Sequence, residues 1–111
     1  MERHLPEKDW KLLRKLAPVA LERFCSRALK EATAIASAPG KTNHERYLEL
    51  YKLMKKQDRD LASAFNDHHR STALHKLAWI YSLGLFTEDE FGAFSEATRE
   101  TTLFLASLGR S

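Results

Sequence analysis

A chain of 111 residues has room for one hydrophobic core and not for two. With 43% apolar and 30% charged residues and a net charge of +3, it has the balance of a folded soluble protein, which excludes an intrinsically disordered chain. No run of about 18 apolar residues exists, so a membrane-spanning helix is excluded and no membrane partner is expected.

The first long segment runs from Pro6 to about Ala38. Pro6 suits the first helical position, where its missing N–H costs nothing. Glu7 and Asp9 sit in the first turn and complement the helix dipole. Apolar residues then recur at helical spacing, among them Leu13, Leu16, Ala20, Leu21, Phe24, Cys25, Ala28, Leu29 and Ile35. Pro18 falls inside this pattern and removes a hydrogen bond to the Arg14 carbonyl. The stripe keeps its phase across Pro18. Two readings follow: a short helix over 6–16 leading directly into one over about 18–37, or one kinked rod. Pro39-Gly40-Lys41 is the clearest breaker in the chain and starts a reversal.

Thr42-Asn43-His44-Glu45 fits a capping box. From there Tyr47, Leu50, Tyr51, Met54, Leu61 and Phe65 share one helical face, which predicts Tyr47 and Tyr51 in the core. Asp58 interrupts that face. Either the stripe is broad there, or Asp58 pairs with a basic group of the first helix. Residues 66–72 are polar and poor in helix formers, and the apolar phase shifts beyond them to Leu74, Leu77, Ala78 and Tyr81. A bend near 66–70 is expected, then a helix to Leu83 capped by Asp67 or Ser71. The competing reading is one uninterrupted helix over 43–83.

Gly84 stops that helix in the left-handed position, with Leu85 making the apolar contact just beyond. Thr87 caps the next helix, Glu90 completes its box, and Phe86 staples onto Phe91. The last helix carries Phe91, Phe94, Thr98, Thr101, Leu105 and Leu108 on one face, widened by Leu103 and Phe104. Ser95 is a restart point near 94–96, and Gly109 ends the helix. No alternating strand pattern occurs. The expected fold is all-α, a small antiparallel bundle of four to five helices with no β-sheet. It forms a single helical domain over residues 1–111, with reversals at 39–42 and 84–87.

Nothing in the chain has the pattern of a catalyst. Gly-rich phosphate loops, nucleophile elbows, zinc-protease patterns and nucleotide fingerprints are missing. Glu88, Asp89 and Glu90 are explained by capping. No enzymatic activity and no cofactor is expected. His68 and His75 are seven residues apart, and helical metal-ligand spacings do not occur, so no metal site is expected. His68, His69 and His75 read as a polar bend, with a metal or pH sensor as the weaker idea. Cys25 lies in the apolar stripe and reads as a packed thiol. It is the one cysteine of the chain and suits a reducing compartment, and residues 1–9 lack the apolar heart of a signal peptide, so a cytoplasmic location is expected.

The charge is uneven. Residues 1–60 hold 14 basic and 9 acidic side chains, while residues 87–111 hold 2 basic and 5 acidic ones. A basic front and an acidic tail can attract each other within one chain or between two. Lys52, Lys55, Lys56 and Arg59 form a compact positive stripe. Lys8, Lys11, Arg14 and Lys15 form a second, and Arg23, Arg27 and Lys30 a third. Two such stripes side by side would neutralise several phosphates, which gives the alternative function of a nucleic-acid-binding accessory protein on Lys52, Lys55, Lys56 and Arg59. Glu49 and Asp60 offset that cluster.

Around Trp79 apolar residues run nearly all round the helix, more than one stripe can bury. This favours a homodimer, with Trp79, Tyr81, Leu85, Phe86, Phe91 and Phe94 as interface candidates. The nine residues 83–91 resemble the helix–Gly–turn–capped-helix hairpin of short oligomerisation modules at the ends of many bacterial proteins. That similarity is made of generic capping chemistry, identifies no family and implies no functional residue. The function expected is a small helical protein–protein interaction module that associates with itself.

Overall fold

The computed structural model describes residues 5–66 and 69–109. Among these described residues five α-helices follow one another: α1 (Glu7–Ala36), α2 (Asn43–Phe65), α3 (Ala73–Ser82), α4 (Glu88–Gly92) and α5 (Glu96–Leu108). A short 3-10 turn, Arg70–Thr72, precedes α3. The described residues contain no strand, and the all-α bundle expected from the sequence is present.

Pro18 does not split α1, which runs unbroken through it as a single 30-residue helix. Pro18 and Arg14 are both exposed, so the Arg14 carbonyl that loses its donor lies on the water side, where solvent replaces it. Pro6 stands one place before α1 as its cap residue, and its carbonyl accepts from the Trp10 amide at 2.9 Å. The reversal at 39–42 turns on Gly40 at φ 77°, and α2 packs back along α1 as an antiparallel hairpin. The Thr42 capping box forms as expected: its hydroxyl accepts from the Glu45 amide at 3.1 Å, and the Glu45 carboxylate accepts from the Thr42 amide at 2.8 Å.

The chain bends after Phe65, so the uninterrupted helix over 43–83 is not formed. Asp67, one of the two expected caps, and His68 lie outside the described residues. Ser71, the other, sits in the 3-10 turn and is not the cap residue of α3. Lys76 of α3 donates to the Ser63 carbonyl at 2.7 Å, where the last turn of α2 leaves carbonyls unpaired. At the far end of α3, Gly84 takes φ 71°. Its amide donates to Tyr81 at 2.9 Å and that of Leu85 to Ile80 at 3.3 Å, the double bond of a Schellman stop. The Thr87–Glu90 capping box then starts α4, and Phe86 stacks on Phe91 with ring centroids 6.4 Å apart. The helix breaks at Phe94–Ser95 and restarts as α5.

The core lies at one end of the molecule. Leu5, Leu13, Leu16 and Ala20 of the first segment meet Leu74, Leu77 and Ile80 of α3, with Leu85 and Phe94 closing the cluster. α5 packs on α3 and buries Thr98, Thr102 and Ala106. The outer half of the α1–α2 hairpin continues beyond these helices, which gives the molecule its 52 × 25 × 22 Å extents.

Two polar joints hold α1 to the C-terminal helices. Asp9 is fully buried, and its carboxylate accepts from the Ser95 amide at 3.1 Å, the Ser95 hydroxyl at 2.6 Å and the Thr98 hydroxyl at 2.6 Å. Ser95 opens α5 without capping it through its own side chain, which is turned to the carboxylate from α1. Farther along α1, Arg23 grips Glu90 with two bonds of 2.6 and 3.0 Å and donates to the Leu85 carbonyl at 2.8 Å. Arg27 donates to the Leu83 carbonyl at 2.6 Å. These two arginines complete the carbonyl ends of α3.

Candidate interaction surface

The face of α2 turned to α1 carries Leu50, Leu53, Gln57 and Ala64. Gln57 fixes the register by donating to the Ala28 carbonyl at 3.1 Å. Leu53 sits near Phe24, Arg27 and Ala28 of α1. Tyr47, Tyr51 and Met54 lie roughly 70–130° farther round the helix. They are therefore left outside the hairpin contact, exposed at 66%, 56% and 55%. This corrects the core placement that spacing predicts for Tyr47 and Tyr51. The apolar stripe of α2 is wider than α1 can cover. Asp58, exposed within the same stripe, marks the side that faces water and needs no buried partner.

Next to this face, α1 presents Cys25, Leu29 and Ala32, with Leu29 exposed at 68%. Between the two helices runs an open, largely apolar groove of about 670 Å3, floored by these residues with Tyr51, Met54 and Leu61 and carrying Lys55, Gln57 and Asp58 among its polar groups. A smaller hollow of about 320 Å3 follows it toward the core end, lined by Trp10, Ala17, Pro18, Leu21 and Phe65. Leu21 is one turn from Cys25 and Phe65 one turn from Leu61, so the two form one path along one side of the molecule. Cations stand at its edges. Lys55 lies over the Tyr51 ring at 5.2 Å and Arg14 over the Trp10 ring at 5.9 Å. Cys25 is half-buried, packed against the core cluster on one side and lining this groove on the other.

The residues expected at an interface from the sequence divide. Trp79 points outward, 45% exposed, beside a shallow hollow of about 470 Å3 shared with His75 and Leu105. Tyr81, Phe86 and Phe91 are half-buried and Leu85 and Phe94 enclosed, at 1% and 2% exposure. Tyr81 and Phe91 are 4.6 Å apart between ring centroids, Phe86 and Phe94 5.9 Å, and Phe91 and Phe94 6.3 Å. The Arg23 and Arg27 clamp draws the 83–90 turn onto α1, and the rings cover one another within the subunit.

The basic stripes divide in the same way. Arg23 and Arg27 are spent on the α3–α4 turn, and Lys56 meets Asp60 at 3.4 Å. Lys52, Lys55 and Arg59 remain exposed, and Lys55 lines the groove. His44, His69 and His75 are exposed at separate places. Among the described residues no group of three or more His, Cys, Asp or Glu side chains converges on a point that a metal ion would fill. No helix of the described residues is long and apolar enough to cross a membrane. The chain matches no protein-family model, and neither a curated protein nor a solved structure is significantly similar to it.

Proposed function

We propose that this chain is a small self-associating interaction module, and that its working surface is the groove along the α1–α2 hairpin, with a second copy of the chain as occupant. The observation that carries this reading is the row of Leu29, Tyr47, Tyr51 and Met54, each more than half exposed and placed on one side of a projecting hairpin. Large apolar side chains gathered on one face of a small protein mark contact surfaces, because leaving them in water forfeits about 25 cal/mol per Å2 of apolar area. The occupant is argued from charge. The groove path carries Arg14 and Lys55 against one acid, Asp58, while residues 87–111 of the same chain hold 5 acidic against 2 basic side chains.

Met54→Asp tests the reading. Met54 is exposed in the hairpin, so the variant keeps its helical circular dichroism and its unfolding midpoint. A carboxylate in the middle of the apolar row weakens self-association at least tenfold by sedimentation velocity. An association constant equal to that of the parent chain contradicts the use of this groove.

A further inference from the structure

We infer that the groove receives α5 of the next copy, so that copies join head to tail; this rests on the self-association proposed above and names the segment that fills the groove. α5 is amphipathic twice over. Its inner side carries Thr98, Thr102 and Ala106. Its outer side carries Glu96, Glu100, Leu103 and Phe104, at spacings that place them on one exposed face. Leu103 and Phe104 are 45% and 54% exposed. Glu96 and Glu100 form no ion pair with any described residue. An acidic, apolar helix face suits a path with a largely apolar floor and the cations Arg14 and Lys55 at its edges, which outnumber Asp58, the one acid of its lining.

The dimensions agree. The 13 residues of α5 span about 20 Å, and the path along α1 from Trp10 to Ala32 runs about 33 Å. A helix lying in a groove between two others is a common mode of recognition. α5 cannot fill the groove of its own chain, because Asp9 holds its first residues and α3 its inner side. The groove and the outer face of α5 share no residue. One copy therefore gives its helix and receives another at the same time, and the contact is heterologous.

Complementation between two variants decides the matter. Met54→Asp spoils the groove and leaves α5 intact; Phe104→Asp spoils the α5 face and leaves the groove intact. Both positions are exposed, and circular dichroism confirms that both variants fold. Each alone has the mass of one chain by light scattering at concentrations where the parent chain associates. Mixed one to one, they form a complex of two chains that grows no further. A mixture that stays at the mass of one chain, or a Phe104→Asp variant that associates like the parent, overturns the head-to-tail contact and leaves self-association through the groove standing. A parent chain that is monomeric throughout overturns both.

Discussion

Asp9→Ala unfolds at a denaturant midpoint far below that of the parent chain, with a loss of about 3 kcal/mol. The carboxylate is buried and serves three donors, the amide and hydroxyl of Ser95 and the hydroxyl of Thr98. Alanine leaves the Ser95 amide and the Thr98 hydroxyl without their acceptor at the root of α5, and the Ser95 hydroxyl with Thr98 alone. Asp9→Asn, which keeps the shape and still accepts at one oxygen, loses about half as much. Denaturation in urea reads both, and a loss below about 1 kcal/mol for the alanine variant contradicts the joint. Burial pushes the Asp9 carboxyl up, but the Ser95 and Thr98 hydroxyls and the Ser95 amide outweigh it, and its pKa lies below the ordinary 3.8. Glu90 is drawn further, from 4.5 to about 2, chiefly by Arg23 and then by the Thr87 amide. A carboxyl with a depressed pKa contributes its full stability above the unfolded value and loses it as pH falls through the folded one. Stability therefore falls from about pH 4.5 toward pH 2, and Asp9→Asn falls less steeply below pH 4.

Phe94→Ala costs about 3–5 kcal/mol, a large part of the stability of a domain this size. Phe94 is 2% exposed and meets Phe86 and Phe91 at the break between α4 and α5, so truncation opens a cavity where several elements join. The variant shows a lowered melting temperature at a protein concentration where no association occurs. Unchanged melting together with weakened association places Phe94 at a contact between chains instead.

The helix boundaries were legible because they rest on local chemistry. Thr42 with Glu45, Thr87 with Glu90, and Gly84 followed by Leu85 each specify a start or a stop within a few residues. The break at Ser95 was legible as a position, but the tertiary partner of Ser95 was not. Asp9 lies 86 residues away in the chain and, from the sequence, reads as a first-turn acid favourable to the dipole of its own helix. Arg23 and Arg27 read as part of a basic stripe for the same reason: their carbonyl and carboxylate partners are tertiary. The orientation of α2 was the main difference. Its apolar residues span more than one face, and periodicity does not say which part of a broad stripe a single neighbouring helix covers. Asp58 was the available signal. A charged residue among Tyr47, Tyr51 and Met54 marks that side as the outer one, and Leu50, Leu53 and Gln57 as the inner.

The claim on which the functional account depends is that the hairpin groove is too apolar to stay in water when another copy is available. Sedimentation velocity on the untagged parent chain, from micromolar to hundreds of micromolar at low salt, measures this directly. The expected weight-average mass rises steadily above the 12.8 kDa of one chain and falls back when salt is added. A mass that remains at one chain over the whole range contradicts it.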